Sequence, residues 1–216
     1  MAEKIVSLFE NGVTDLVYNY CENIGDGRGI TAGYRGFTTA TSDAKMVVDL
    51  YTKYKGPNVM TKYSTLLGKN NNDISGYCQD WVIASNDLLF QRVQREIVDI
   101  EYFKPAMSIA AQSNVVSPLG KLVLYDSYIQ HGEGDDQWTK GVVSMVSTTK
   151  AKVGTADEKL FIKTFLAVRK AVLLSGDRVS KDSAPRCDDL LKLANDNNWN
   201  ISPPLILTGY YTGKVV

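Results

Sequence analysis

The stretch YCENIGDGRGITAG, residues 20–33, places three charged side chains and four glycines in a short segment between apolar sequences. Glu22, Asp26 and Arg28 are its charged residues. Glycine adopts backbone conformations that other residues avoid, and it lets the backbone approach a ligand closely. The stretch therefore predicts a tight loop that projects polar side chains out of an otherwise ordinary globular chain.

The common glycine-rich motifs do not fit this loop. A phosphate-binding P-loop needs a lysine and a serine or threonine after its last glycine, and a dinucleotide fingerprint needs G-x-G-x-x-G at the start of a helix. Here the spacing is G-x-G-x-G, and no helical pattern follows at once. An EF-hand is excluded because Ile24 stands between Glu22 and Asp26 where a ligand is needed. Taken alone, the loop is a turn in which Asp26 bonds its own backbone.

The overall composition is that of an ordinary globular protein. The chain has 216 residues, a length that suits one domain with one or two lobes, and its 24 basic residues balance its 24 acidic ones. The basic residues form no long run, so nothing calls for a nucleic acid partner. No apolar run is long enough to span a membrane, and no signal peptide is visible at the N-terminus.

Histidine and cysteine are too sparse for the usual metal or nucleophile chemistry. His131 is the single histidine, which makes histidine-rich metal sites and Ser-His-Asp or Cys-His mechanisms weak hypotheses. Cys21, Cys78 and Cys187 form no zinc pattern. We expect three semi-buried thiols, with at most one pair bridged, and neither a metal nor another cofactor.

The hydrophobic pattern predicts a mainly α-helical protein with one small β element near the N-terminus. A first helix ends at Asn11 and Gly12, and Ser42 is a candidate cap for a second. One long helix is predicted from about Cys78 to Phe103, with Pro105 bending or stopping it. A further helical pattern begins at Ser117 and Pro118. Three more cover 136–148, 156–175 and 186–196, and a non-helical tail follows them.

Two carboxylates suggest a chemical role for the loop. Glu10 lies near the end of the first helix beside Phe9, where partial burial favours its neutral form. Asp26 lies next to Arg28 in an open loop, which favours its charged form. One neutral acid and one ionised carboxylate are what a glycosidase needs. From the residues alone, however, a surface glutamate and a turn aspartate explain the pattern better.

The order of several motifs along the whole chain resembles the chitosanases of glycoside hydrolase family 46. The match begins with FEN at 9–11 and YCENIGDGRGITAGYRGFTTATSD at 20–43. It continues with QDW at 79–81, YFKPA at 102–106, YDSYIQHGEG at 125–134, FLAVRKA at 165–171 and NISPP at 200–204. Two departures are Ile30, where the family has tyrosine, and Ala40-Thr41-Ser42, where it has Gly-Thr-Gly.

The resemblance implies a fold and a reaction. The fold is lysozyme-like, with two helical lobes around a substrate cleft and a small antiparallel β element, as one catalytic domain over 1–216 whose lobes are joined by the helix near 78–103. The reaction is hydrolysis of β-1,4 links in chitosan with inversion at the anomeric carbon. Glu10 is then the general acid and Asp26 the general base, and Thr31 helps to hold the attacking water.

The resemblance also assigns supporting residues, each of which has a plainer alternative. Asp43 matches a residue that binds a glucosamine amine, although a first-turn helix acid is equally consistent. Arg28, Glu22 and His131 are candidate substrate contacts, with loop, strand-surface and capping roles as their alternatives. The match also gives a buried ion network behind the acid, made of Asp126, Arg169 and a second arginine. That arginine is either Arg178 or Arg186, and we favour Arg178.

Two other functions remain open at this point. One is a lysozyme-like hydrolase of N-acetylated glycans, and the other is a non-catalytic glycan-binding protein. Intact Glu10, Asp26 and Thr31 argue against the second, and the acidic residues near the loop favour chitosan, a polycation, over neutral glycans. The expected partners are therefore chitosan and glucosamine oligosaccharides. We expect a monomer, and an extracellular location because chitosan is a wall polymer.

Overall fold

The computed structural model describes residues 1–25, 27–69, 74–136, 139–176, 178–210 and 214–215, without the side chains of 178–180 and 214–215. Asp26, the proposed base, therefore lies outside the described residues. The helices in chain order are α1 Ala2–Asn11, α2 Ser42–Lys55, α3 Tyr77–Ser85, α4 Leu88–Val98, α5 Lys104–Gln112, α6 Pro118–His131, α7 Val142–Val153, α8 Glu158–Ser175, α9 Arg178–Ser183 and α10 Pro185–Asn195. The strands are β1 Cys21–Glu22, β2 Thr31–Ala32, β3 Phe37–Thr38, β4 Ile206–Leu207 and β5 Lys214–Val215.

This architecture confirms the prediction of a mainly α-helical protein with a small antiparallel sheet. Strands β1, β2 and β3 pair in that order, each antiparallel to the next. A second antiparallel pair, β4 with β5, lies in the tail that the sequence predicted only as non-helical. The chain forms two compact units, one made of 1–14 and 102–216 and the other of 15–101. Its arrangement as two lobes joined by a helix stays a prediction.

The single long helix predicted over 78–103 is wrong, because the chain leaves the helix at Asn86 and Asp87. Asp87 has an extended backbone, and its carboxylate accepts a hydrogen bond from Leu89 N at 2.9 Å, which starts α4 afresh. A short π-helical turn, Asp99–Phe103, follows α4, and α5 then runs on from Lys104. Pro105 lies in the first turn of α5, directly after the π-helical turn, and α5 continues past it to Gln112, so it does not stop the helix there.

An aromatic core holds the unit of residues 15–101 together. The buried Trp81 ring meets Phe90 edge-on at 4.8 Å between centroids, and Phe90 meets Tyr51 in the same way. A disulfide between Cys21 and Cys78 joins β1 to α3. The expectation of three thiols was therefore wrong for two of the cysteines, while Cys187 is free and buried.

The other unit is built around α6. This helix packs against α1, α5, α7, α8 and α10, and most of its side chains are buried. A helix surrounded on several sides needs apolar residues on several faces, as its sequence has. Its predicted start is confirmed, since Ser117 Oγ accepts a hydrogen bond from Gly120 N at 3.0 Å and Pro118 follows. Among the described residues, no helix combines the length and apolar character that crossing a membrane requires.

Candidate active site

Glu10 lies in the last turn of α1, next to buried Phe9. The helix ends as predicted, because Gly12 adopts a left-handed conformation and donates its N–H to Leu8 O. The Glu10 side chain is 31% exposed, and its Oε1 accepts a hydrogen bond from Arg186 Nη1 at 2.6 Å. One carboxylate oxygen is thus held by an internal arginine while the side chain stays partly open to solvent.

A buried ion network lies directly behind this contact. Arg169 and Asp126 are both fully buried, and Arg169 Nη1 donates to Asp126 Oδ2 at 2.6 Å. Arg169 Nη2 also donates to Gln130 Oε1 at 2.5 Å. The other Asp126 oxygen, Oδ1, lies 3.6 Å from Arg186 Nη1. The structure therefore brings Asp126 and Arg169 together and connects them to Glu10 through Arg186.

Arg186 occupies the place for which the sequence favoured Arg178. The Arg178 side chain lies outside the described part of the chain, so the contacts observed in the ion network are those of Arg186. Arg186 Nη2 also donates to Phe9 O at 2.6 Å, which ties the guanidinium to the end of α1. Burial lowers the pKa of Arg186, but the charges of Asp126 and Glu10 outweigh burial and raise it overall.

His131 differs from the expectation that it contacts substrate, because its side chain is buried at the end of α6. Arg169 Nε donates to His131 Nε2 at 3.4 Å, and since Nε2 accepts, the proton sits on Nδ1. Nδ1 then donates to Thr139 Oγ1 at 3.0 Å. Burial, followed by the charge of Arg169, lowers the pKa of His131 to about 3. The neutral ring joins the ion network to the segment around Thr139.

In the other unit, the glycine-rich loop is held at its C-terminal side by two hydrogen bonds. Ala40 N donates to Arg28 O at 3.1 Å, and Ile30 N donates to Thr39 Oγ1 at 2.9 Å. Gly25, Gly27 and Gly29 all have positive φ, between 74° and 83°, a region that side chains disfavour. The loop needs these glycines to turn repeatedly within a few residues.

Thr31 begins strand β2, opposite Glu22 on one side and Thr38 on the other. Its side chain is buried, and within the described ranges its Oγ1 has no hydrogen-bond partner. A buried hydroxyl without a partner is uncommon and calls for an explanation such as a water or a ligand. The arrangement suits a hydroxyl that holds a water molecule.

Asp43 has a local structural role in the first turn of α2. Its Oδ1 accepts hydrogen bonds from Thr38 N at 3.0 Å and Ala44 N at 2.8 Å. The hydroxyl of Thr41 also contacts this oxygen. Thr41, not Ser42, is the N-cap residue, so the predicted cap is one residue too late. Asp43 therefore links strand β3 to the start of α2, whatever else it binds.

Glu22 and Arg28 are both exposed. Glu22 accepts a hydrogen bond from Tyr20 Oη at 3.2 Å. Over the described ranges, no group of three or more histidine, cysteine, aspartate or glutamate side chains is placed to hold a metal ion. Sequence reasoning missed Tyr210, whose ring centroid lies 4.9 Å from Arg186 Cζ, and Asp189, one turn after Arg186 on α10; no local motif marks either of them.

A carboxyl group held in position at a helix end by a buried ion network is the kind of acid that a glycoside hydrolase uses. The comparisons with known proteins agree. Residues 4–205 match the family model "Glycosyl hydrolase family 46". The chain belongs to glycosyl hydrolase family 46.

Relatives and solved structures match over almost the full chain. A chitosanase of Bacillus subtilis (strain 168) is 34% identical, with 100% of this chain and 83% of the relative covered, and one of Streptomyces sp. (strain N174) is 33% identical over 95% and 77%. The structure of a Gynuella sunshinyii GH46 chitosanase in complex with chitotetraose superposes with a TM-score of 0.85 at 36% identity, covering 100% of this chain and 95% of that one. A mutant chitosanase from Bacillus subtilis MY002, complexed with 6 GlcN, gives a TM-score of 0.86 at 34% identity, covering 99% and 95%.

Proposed function

We propose that this protein is an endo-acting chitosanase that hydrolyses β-1,4 glycosidic links of chitosan with inversion of the anomeric configuration. The observation that carries the proposal is the family match over residues 4–205, together with curated chitosanases that match at least 95% of this chain. The contact of Glu10 with Arg186 supports it, because it sets a carboxyl group in a fixed position at a partly open surface.

Glu10 is the general acid of the proposed reaction. Arg186 donates to Oε1, so the proton of the acid form sits on Oε2 and is directed away from the arginine. From Oε2 the proton passes to the glycosidic oxygen as the bond to the anomeric carbon breaks. Arg186 is itself held by Phe9 O and by the charge of Asp126, so the orientation of the acid is fixed before substrate arrives.

Asp26 is the general base and removes a proton from the water that attacks the opposite face of the sugar. Thr31 supports this role, since its hydroxyl is a spare buried partner for a water. The flexible glycine backbone on both sides of Asp26 lets the loop approach a sugar ring closely. No residue acts as a nucleophile in this scheme, and no covalent sugar–enzyme intermediate forms.

Charge explains why chitosan is the proposed substrate. Glucosamine units carry ammonium groups, and carboxylates attract them. Asp43, in the first turn of α2, and Glu22, on β1, are the proposed amine contacts. Arg28 is proposed to contact sugar hydroxyls or to hold the loop. We further infer an extracellular protein that acts as a monomer, which mass measurement in solution by light scattering tests directly.

The experiment that separates this function from its alternatives compares substrates. Release of reducing ends is measured from chitosan, from chitin and from peptidoglycan, with Glu10→Gln as the inactive control. We expect release from chitosan only, and at least a 100-fold loss of rate in Glu10→Gln, because one positioned acid contributes about 10²–10⁴-fold. Preferred release from chitin or peptidoglycan would support the hydrolase of N-acetylated glycans instead, and binding without release would support a glycan-binding protein.

A further inference from the structure

Asp189 is a buried carboxylate that none of the roles above uses. It lies on α10, one turn after Arg186, and only 2% of the residue is exposed. Its two oxygens accept three backbone hydrogen bonds from one turn of the C-terminal tail. These come from Thr208 N at 2.7 Å, Gly209 N at 2.7 Å and Tyr210 N at 3.0 Å. Three N–H donors on one buried carboxylate fix the turn closely to the helix.

Gly209 shows how tight this contact is. A Cβ atom at this position would lie 2.7 Å from Pro185 O and 3.3 Å from Asp189 Cγ. The first of these distances is closer than real Cβ contacts, and Pro185 O is backbone, so it has little freedom to move. Any side chain at Gly209 therefore pushes the turn away from the start of α10. The buried side chains of Leu205 and Leu207 anchor the tail just before this turn.

The turn sets Tyr210 on the arginine that holds the acid. The Tyr210 ring centroid lies 4.9 Å from Arg186 Cζ, and the Phe9 ring centroid lies 5.4 Å from the same atom. The two rings meet edge-to-face, with centroids 6.1 Å apart. Aromatic faces attract a guanidinium and exclude water from it. Arg186 is therefore confined by two rings, and its hydrogen bonds point to Glu10 and Phe9.

We propose that Asp189 and Gly209 are positioning residues for the general acid. They fix the turn at 208–210, the turn fixes the Tyr210 ring on Arg186, and Arg186 is then held in the one orientation that meets Glu10. A long arginine side chain has many rotamers and keeps one orientation only when its surroundings impose it. The role of Glu10 in this inference rests on the proposed function, but the placement of Tyr210 on Arg186 by Asp189 and Gly209 does not depend on that function.

The test compares Asp189→Asn and Gly209→Ala with the matched control Asp188→Asn. Asp188 is the neighbouring residue, with a side chain 47% exposed and a surface ion pair to Lys170. For both positioning variants we expect kcat on chitosan to fall about tenfold or more while KM changes less than twofold. We also expect the alkaline limb of the pH–rate profile to move to higher pH, because a cation beside the acid is held less closely. The control Asp188→Asn should match the wild type in kcat, in KM and in the pH–rate profile.

Substitutions of Tyr210 test the middle of the chain of contacts. Tyr210→Leu removes the aromatic face and should reproduce the loss of kcat, whereas Tyr210→Phe keeps the face and should restore it. A readout independent of activity is the ring-current shift of the Arg186 side-chain resonances in NMR spectra. We expect this shift to shrink in Asp189→Asn, Gly209→Ala and Tyr210→Leu, and to persist in Asp188→Asn.

Each outcome decides the inference. If Asp189→Asn and Gly209→Ala lower the melting temperature but leave kcat and the pH–rate profile unchanged, the turn is only a structural clamp and the inference is wrong. The same follows if the ring-current shift persists in both variants. If the wild type fails to hydrolyse chitosan, the proposed function is wrong, while the NMR comparison still decides whether Asp189 places Tyr210 on Arg186.

Discussion

Replacing Arg169 by methionine should unfold the protein at a much lower temperature. Arg169 and Asp126 are both fully buried and 2.6 Å apart, and methionine keeps most of the volume while removing the charge. The Asp126 carboxylate then loses its close partner, and Arg186 Nη1, 3.6 Å from Asp126 Oδ1, is the cation that remains beside it among the described residues. Breaking a buried pair in this way costs roughly 3–5 kcal/mol. For a chain of this size, 1 kcal/mol corresponds to about 2–4 °C, so the expected drop in Tm is roughly 6–20 °C.

The assay is thermal unfolding by calorimetry, with two comparison variants. Lys170→Met is the matched control, because Lys170 is the next residue on α8 and pairs with Asp188 at the surface. Exposed pairs contribute about 0–1 kcal/mol, so we expect Tm to change by no more than a few degrees. The double variant Asp126→Leu/Arg169→Met removes both charges together. It should be more stable than Arg169→Met alone, since no carboxylate is left stranded.

Activity provides the second readout of this prediction. Arg169 contacts Glu10 only through Asp126 and Arg186, so its loss should also lower kcat on chitosan. The reasoning is refuted if Arg169→Met melts like Lys170→Met. It is also refuted if the free-energy changes of Asp126→Leu and Arg169→Met simply add in the double variant, because additive changes would mean that the two charges do not depend on each other.

Three further predictions concern the disulfide, the buried histidine and a packed glycine. Reduction of Cys21–Cys78, which are 57 residues apart, should lower stability by roughly 4 kcal/mol, and a reductant should have no such effect on Cys21→Ser/Cys78→Ser. His131 has a pKa of about 3 in the folded protein and about 6.5 in the unfolded chain, so the free energy of unfolding should fall as pH drops from 6.5 towards 3, by at most about 1.4 kcal/mol per pH unit. Unfolding curves of His131→Gln should show a weaker fall. An equal fall would contradict the lowered pKa of His131. Gly33→Ala should destabilise the protein by about 1–3 kcal/mol more than Gly56→Ala in urea unfolding, because both glycines have positive φ but a Cβ at Gly33 would also meet the packed rings of Phe37, at 2.9 Å, and Trp81, at 3.0 Å; equal losses would contradict these contacts.

Local signals made much of the fold predictable. The C-terminal end of α1 and the start of α6 are determined by residues at those positions. Gly12, which adopts a left-handed conformation, ends α1, and the pair Ser117-Pro118 starts α6. The break between α3 and α4 was missed because Asp87 also fits a helix surface, and only its extended backbone and its bond to Leu89 N reveal a cap. Apolar periodicity continues across such a break, so the pattern alone suggests one helix.

Partners that are far apart in sequence were harder to predict. The spacing of the three cysteines does not say which two meet, and the Cys21–Cys78 pair depends on β1 packing beside α3. The sequence did not settle the choice between Arg178 and Arg186 for a similar reason. Arg186 reaches Glu10 because α10 packs on α6 and α8, a tertiary contact that residue spacing does not encode. Asp189 was missed because its partners are backbone N–H groups, which every residue type except proline offers.

The most direct test of the proposed mechanism is the configuration of the first product. Fresh hydrolysis of chitosan oligosaccharides by the wild type is followed by proton NMR within the first minutes, before the anomers equilibrate. Inversion by Glu10 and Asp26 predicts that the α-anomer of the new reducing end appears first and that the β-anomer grows only with mutarotation. Initial appearance of the β-anomer would mean retention through a covalent intermediate, and would contradict the roles assigned to both carboxylates.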